Sequence, residues 1–146
     1  MAGVMSRDIN KENSIFWNEI CGTALAKHLG IKDNSLESLE QFDKAYFDHI
    51  PYLLKCVNIG EMKGKNVLEI GLGYGTLGQR IAEVGADYTG LDLATNPVQL
   101  MNYRLRIKSL SGRAIQGNIL ESPFNSEVFY YVVAIGCFHH TGNVQQ

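Results

Sequence analysis

The sequence lacks the features that mark secreted, membrane-spanning and nucleic-acid-binding proteins. Its three cysteines, Cys21, Cys56 and Cys137, are widely separated, so they form neither a disulfide framework nor a metal-ligand pair. No apolar run approaches the roughly 20 residues of a membrane helix, and the N-terminus has no signal-peptide core. A net charge of −2 gives no electrostatic footprint for nucleic acid. We therefore expect a cytoplasmic protein with no membrane insertion, no nucleic-acid partner and no bound metal.

The composition is that of an ordinary globular protein, with 45% hydrophobic and 19% charged residues among 146. Residues 1–60 favour a helical segment that caps the rest, and residues 61–146 favour an α/β half-domain. Within the first segment, Phe16-Trp17 either packs on the sheet or forms a lid over a ligand. Ser38 and Gln41 fit a capping box, which predicts that a helix begins at Ser38.

The most informative stretch is VLEIGLGYGT, residues 67–76. Four residues read as a buried strand, and the alternating Gly71, Gly73 and Gly75 turn the chain into a helix with apolar residues at helical spacing. Glycine lets the backbone approach a ligand closely, and the free N–H groups of a first helical turn point towards it. This stretch therefore predicts a cofactor-binding turn.

Further strands follow in an α/β alternation. Residues 88–91 read as a second strand that ends at Asp92, residues 113–116 as a third, and residues 131–135 as a strand buried on both faces. This pattern predicts a Rossmann-like, doubly wound and mostly parallel sheet with strand order 3-2-1-4. The helix after Asp92 should be capped by Thr95 or Asn96, with Arg104, Arg106 and Lys108 on its solvated side.

Asp92 is the strongest single candidate for a ligand contact. It follows Gly71 by about 20 residues and ends the second strand, where a carboxylate accepts hydrogen bonds from ribose hydroxyls. The alternative is that Asp92 only caps the following helix. The nucleoside could belong to a dinucleotide, because residues 73–78 match G-x-G-x-x-G. That match begins late, however, and Glu69 at the mouth of the strand suits a ligand with an ammonium group better than a pyrophosphate.

Four motifs in order resemble class I S-adenosylmethionine-dependent methyltransferases of the small-molecule branch, type 11. VLEIGLGYG (67–75) is similar to their first motif and GLDL (90–93) to their acidic motif. QGNILESPF (116–124) resembles their adenine-contacting loop, and VVAIGCFHHT (132–141) resembles their fourth-strand motif. The resemblance implies S-adenosyl-L-methionine as cofactor and a small-molecule methyl acceptor.

Residue roles follow from the resemblance, position by position. Glu69, Gly71, Gly73 and the neighbouring Gly75 would hold the methionine end of the cofactor, and Asp92 the ribose hydroxyls. Leu93 would pack beside the adenine, Asn118 would accept from its amino group, and Ile119 would stack nearby. Gly136 would line the path to the sulfonium methyl. His139 and His140 are candidate general bases or substrate contacts, although adjacent histidines on a turn are as often structural.

The resembled family continues with three more strands beyond the fourth motif. We therefore expect this chain to be the N-terminal part of a larger enzyme, truncated after the fourth strand, or to have that strand's edge covered by another chain. An exposed apolar edge would also favour self-association. Two alternatives to a methyltransferase stay open at this point, a nicotinamide-dependent (NAD(P)-binding) oxidoreductase and a non-catalytic module that binds a nucleoside cofactor.

Overall fold

The computed structural model describes residue 11 and residues 23–141. Its helices are α1 (Thr23–His28), α2 (Leu36–His49), α3 (Leu53–Cys56), α4 (Thr76–Glu83) and α5 (Thr95–Ile107). Its strands are β1 (Asn66–Ile70), β2 (Asp87–Asp92), β3 (Arg113–Gln116) and β4 (Tyr131–Ala134). The aromatic pair at positions 16 and 17 lies outside the described residues, so its predicted packing or lid role stays a prediction. No described helix is long and apolar enough to cross a membrane.

The four strands form one parallel sheet in the order β3-β2-β1-β4, which confirms the predicted topology. Ile70 at the end of β1 lies in register with Leu91 of β2 and Ala134 of β4. The carboxyl ends of the strands therefore meet along one edge. In open parallel sheets this edge carries the ligand, at the point where strand order reverses.

The two faces of the sheet are covered differently. The chain moves in one direction from β1 to β2 to β3, so both crossover helices, α4 and α5, pack on the same face, over Val67 and Tyr88. The opposite face, with Leu68 and Ile70, is covered by side chains of the connection between β3 and β4, including Phe124 and Phe129. Within the described residues this connection contains a 3₁₀ turn, Ile119–Glu121, in place of a helix.

The prediction that residues 131–135 are buried on both faces is wrong. Val133 is buried against α4 and α5, but Val132 is 57% exposed and Ile135 is 44% exposed. The reason is position: among residues 23–141, β4 pairs with β1 alone, at the edge of the sheet, and no described segment buries Val132. A long apolar run predicts that a strand is covered, but it does not show which part of the chain covers it.

Helix starts also differ from those predicted. Helix α2 begins at Leu36, because Ser35 is the cap and its side chain accepts from the Ser38 N–H at 3.3 Å. Ser38 therefore lies inside the first turn, where its hydroxyl donates to Asp33. Helix α5 begins at Thr95 with Ala94 as its cap, so neither Thr95 nor Asn96 caps it.

The placement of Arg104 on a solvated face is the largest error of the sequence interpretation. Its side chain is completely buried between α5, α4 and α2, where it pairs with Asp43. Arg106 is exposed, as predicted, and Lys108 is partly exposed. A guanidinium at 0% exposure has to be matched by acceptors, and the structure supplies them from distant parts of the chain.

Candidate cofactor site

The bend after β1 has a geometry that requires glycine. Gly71 adopts a φ of +77°, a left-handed conformation that side chains disfavour. A methyl group on Gly71 would also lie 2.7 Å from Cβ of Cys137. Gly73 and Gly75 share the left-handed region. The backbone can therefore reverse direction within a few residues and present bare peptide groups at the carboxyl edge of the sheet.

Asp92 is joined directly to that bend. Its Oδ2 accepts from the Leu72 N–H at 2.8 Å, and its Oδ1 accepts from the Ala94 N–H at 2.8 Å. The second bond holds the N–H of Ala94, the cap residue of α5. The Asp92 side chain does not itself cap the helix, contrary to the helix-cap alternative. A carboxylate oxygen can accept two hydrogen bonds, so both oxygens of Asp92 keep capacity for a ligand. Burial raises the pKa of Asp92, and its backbone hydrogen bonds oppose that rise.

A cavity of about 180 Å³ opens between these loops. One side of it is formed by the glycine bend and the end of β2, through Gly71, Gly73, Asp92 and Leu93. These are predicted cofactor contacts, and the structure brings them to one place. Gly75 does not line the cavity, because it is buried behind the bend against Arg104 and Met101.

The other side of the cavity comes from the segments after β3 and β4. Asn118, Ile119, Gly136 and His140, all predicted site residues, line it. The Asn118 side-chain oxygen accepts from the Leu120 N–H at 3.0 Å, which orients the amide at the start of the 3₁₀ turn. His139 is exposed and does not line the cavity. The two rings pack with centroids 3.8 Å apart, but of the two histidines only His140 lines the cavity.

Glu69 is not at the mouth of the strand, and that part of the sequence interpretation is wrong. It is 3% exposed and points to the face covered by α4, where the Tyr88 hydroxyl donates to its carboxylate at 2.6 Å. Burial raises the pKa of Glu69 to about 8, although the Tyr88 hydrogen bond opposes the shift. Because Glu69 does not line the cavity, its contact with the methionine end of a cofactor stays a prediction.

Gly78 has a role that the sequence interpretation missed. A methyl group there would overlap both the Glu69 carboxylate and the Tyr88 hydroxyl. Gly78 thus allows α4 to pack closely on β1 and β2, which is the role of the last glycine in a G-x-G-x-x-G turn. The literal motif at 73–78 was the available signal, and it reports helix–strand packing here.

Seven further cavity residues were also missed, and among them are Ile135, Cys137 and Phe138 in the segment after β4. The Cys137 thiol donates to the Ile70 carbonyl at 3.2 Å, and burial raises its pKa. Ile135 and Phe138 are 44% and 42% exposed, so they form an apolar rim. The available sequence signal was their place beside Gly136 within the fourth-strand motif, residues 132–141. Among the described residues, no group of His, Cys, Asp and Glu is arranged to hold a metal ion.

The donor set fits an adenosyl group. Apolar side chains of Leu93, Ile119 and Phe138 provide walls for a flat aromatic base, while a carboxylate and an amide stand among them. Asp92 has acceptor capacity for hydroxyl groups, and bare peptide groups of the glycine bend lie beside it. A concave, largely apolar pocket with a few convergent polar groups is the usual form of a cofactor site.

Comparison with known proteins identifies a family. The family described as "Methyltransferase domain" matches residues 67–146. A demethylmenaquinone methyltransferase of Tropheryma whipplei is 28% identical over 91 residues, which are 62% of this chain and 37% of that protein. A ubiquinone biosynthesis O-methyltransferase of Photorhabdus laumondii is 49% identical over 41 residues, 28% of this chain and 17% of that protein. The chain thus spans well under half the length of these relatives.

A solved structure supports the fold. A putative sarcosine dimethylglycine methyltransferase from Galdieria sulphuraria superposes with a TM-score of 0.59 at 16% identity, over 78% of this chain and 47% of that one. At this identity the likeness concerns the Rossmann-like architecture alone. The relatives do not favour the nicotinamide-dependent oxidoreductase considered from the sequence.

Proposed function

The chain belongs to the methyltransferase domain family, and from this membership we propose that it serves the S-adenosylmethionine-dependent methylation of a small molecule. The observation that carries the proposal is the hydrogen bond between the Asp92 carboxylate and the glycine bend at the rim of one cavity. It places an acceptor for ribose hydroxyls beside the bare backbone of the bend. A nucleoside with a cationic amino-acid tail is the ligand that uses both.

Each side of the cavity has its own part in binding. Asp92 accepts from the ribose, and the backbone of Gly71 and Gly73 faces the amino-acid end. Asn118 meets the adenine edge, with Ile119 against the ring. The Leu120 N–H already orients the Asn118 oxygen, so this amide meets the base in a fixed position.

S-adenosylmethionine supplies, when bound, a methyl group already activated on a sulfonium. The protein therefore has to align an acceptor in line with that methyl and to exclude water, and most of the rate can come from this positioning. Gly136, with no side chain, leaves an open path on the β4 side of the cavity. His140 lines the same side. In this proposal its imidazole holds or removes a proton of the acceptor.

The acceptor we propose is a small molecule with an apolar, quinone-like body. The relatives from T. whipplei and P. laumondii are both named for quinones. In this chain, the exposed Ile135 and Phe138 form an apolar rim next to His140, which suits such a body. The low cysteine content and the lack of disulfide spacing support a cytoplasmic setting for this reaction.

The test is methyl-label transfer from S-adenosylmethionine to a demethylated quinone. We expect His140→Gln to lower transfer about a hundredfold, within the range for a lost general base, and to leave S-adenosylhomocysteine affinity unchanged. His28→Gln is the matched control, because His28 is an exposed histidine at the end of α1 and does not line the cavity. Binding of S-adenosylhomocysteine with no transfer to any acceptor would favour the alternative, a non-catalytic cofactor-binding module.

The exposed edge strand supports a second proposal, self-association through β4. Val132 is 57% exposed on a strand that, in the part of the chain that the structure describes, pairs on one side only. Charged residues on edge strands prevent such pairing. We expect Val132→Lys to reduce a concentration-dependent rise in light scattering. Equal scattering from both proteins would exclude this edge as the contact.

A further inference from the structure

Arg104 is the centre of a buried polar cluster that joins three helices. Its Nη2 donates to Asp43 Oδ1 at 2.8 Å, and its Nη1 donates to Asp43 Oδ2 at 2.9 Å and to Gln79 at 2.8 Å. The Thr76 hydroxyl donates to Asp43 Oδ1 at 2.7 Å. We call Asp43, Thr76, Gln79 and Arg104 the Arg104 cluster. Asp43 comes from α2, Arg104 from α5, and the other two from the first turn of α4.

The remaining contact of Arg104 is with the glycine bend. Its Nε donates to the Tyr74 carbonyl at 2.7 Å, while the N–H on the other side of the same peptide, that of Gly75, donates to the Leu72 carbonyl at 2.9 Å. The peptide between Tyr74 and Gly75 is thus held at both ends. Gly73, the residue immediately before Tyr74, lines the cavity.

Helix α2 holds the same part of the bend through a second residue. The Phe42 ring stacks on the Tyr74 ring with centroids 3.9 Å apart, and the Arg104 guanidinium lies 5.5 Å from the Tyr74 ring centre. Phe42 and Asp43 are adjacent and both buried. Tyr74 is therefore held by its ring and by its carbonyl, and both restraints depend on α2, which precedes the family match at 67–146.

We propose that Asp43 is a positioning residue for the cofactor. It orients Arg104, and Arg104 fixes the peptide between Tyr74 and Gly75. The backbone of the bend is thereby set in the geometry that binds the amino-acid end. Helix α2 then determines cofactor affinity although none of its residues lines the cavity. This inference rests on the proposed function, because it assumes that the bend binds S-adenosylmethionine.

The test compares two variants of α2 in the full chain. Asp43→Asn removes the charge that pairs with Arg104. We expect it to weaken S-adenosylhomocysteine binding about tenfold, a usual size for coupling between a site and a residue outside it, and to speed hydrogen exchange at the Gly75 amide. Glu40→Gln is the matched control, because the exposed Glu40–Lys108 pair joins α2 to the end of α5 without touching the bend. It should change neither quantity.

A merely structural role for Asp43 gives a different result. Asp43→Asn would then lower the melting temperature while S-adenosylhomocysteine affinity and Gly75 exchange, measured well below that temperature, stay as in the wild type. That result overturns the inference and leaves the proposed function intact. Failure of the wild type itself to bind S-adenosylhomocysteine would reject the proposed function, and this inference with it.

Thr76→Val provides a milder variant if Asp43→Asn does not fold. It removes one hydrogen bond to Asp43 and leaves the ion pair with Arg104 in place. We expect a smaller loss of S-adenosylhomocysteine affinity, together with faster exchange at Gly75. Unchanged affinity and exchange in a folded Thr76→Val protein would contradict the proposal.

Discussion

Asp92 and Leu72 are joined by a hydrogen bond of 2.8 Å from the Leu72 N–H to the Asp92 carboxylate. The bond ties the glycine bend after β1 to the end of β2, so two of the four motifs that carry the family resemblance form a single rim. An acid that only capped the following helix would need just its bond to Ala94. The additional bond sets the position of the bend relative to the carboxylate, which a ligand spanning both requires.

Replacing Asp92 should therefore weaken cofactor binding. In Asp92→Asn the charge is lost. The amide also has only one oxygen, whereas the two oxygens of the wild-type carboxylate each accept a hydrogen bond from a backbone N–H. We expect S-adenosylhomocysteine affinity to fall about 10- to 100-fold, the size of one or two charge-assisted hydrogen bonds. Asp87→Asn, at the opposite and exposed end of β2, is the control and should bind as the wild type does. Calorimetric titration measures both, and equal affinities would remove Asp92 from the site.

Gly78→Ala should destabilise the protein even though alanine is the better helix former. The added methyl meets the Glu69 carboxylate and the Tyr88 hydroxyl, both buried, so α4 has to move outward. We expect a loss of about 1–3 kcal/mol in the free energy of unfolding, the usual cost of overpacking. Gly60→Ala is the control, since a methyl there meets nothing within 4 Å. Urea unfolding that ranks the two variants equally would refute the packing role of Gly78.

The buried Glu69 predicts a pH dependence of stability. Its pKa rises from 4.5 to about 8 on folding, so between these values the folded protein keeps a proton that the unfolded chain has released. The free energy of unfolding should then decrease as pH rises through this window. Glu69→Gln should remove that part of the decrease, on the order of a few kcal/mol. Denaturation of both proteins at about pH 5 and about pH 8 tests this; parallel curves would show that Glu69 is ionised throughout.

Cys137 reports on occupancy of the cavity. It lines the cavity and is half-buried, whereas Cys56 is exposed and distant in sequence. Burial raises the pKa of the Cys137 thiol, so maleimide labelling there should be slow at neutral pH and faster in alkali. We expect S-adenosylhomocysteine to slow labelling of Cys137 and leave that of Cys56 unchanged, as followed by peptide mass spectrometry. Protection of neither thiol at saturating ligand would place the binding site elsewhere.

Much of the fold was predictable because its signals are local. The apolar runs gave the strands to within a residue or two, and the alternation of strands and helices gave a parallel sheet. Most of the predicted site residues follow the carboxyl ends of the strands, and these ends meet at one edge because the strands are parallel. Such patterns do not contain the orientation of a particular side chain. Glu69 was therefore predicted at the mouth of the strand, whereas its side chain is buried against Tyr88.

Arg104 shows why the remainder was missed. The buried positions of α5 are Pro97, Met101, Arg104 and Leu105, which follow helical spacing, so the period alone assigns Arg104 to the core. Its charge argued for solvent. The deciding partner, Asp43, lies 61 residues away on another helix, and no local pattern connects the two. The pairing of buried charges that are distant in sequence could therefore be identified only from the structure.

The central claim is that the rim formed by Asp92 and the glycine bend binds an adenosyl ligand with an amino-acid tail. Its most direct test is calorimetric titration of the unmodified chain with S-adenosylhomocysteine and, separately, with NAD. The account predicts saturable binding of one S-adenosylhomocysteine per chain and no measurable heat with NAD. Saturable binding of NAD without any response to S-adenosylhomocysteine would contradict it.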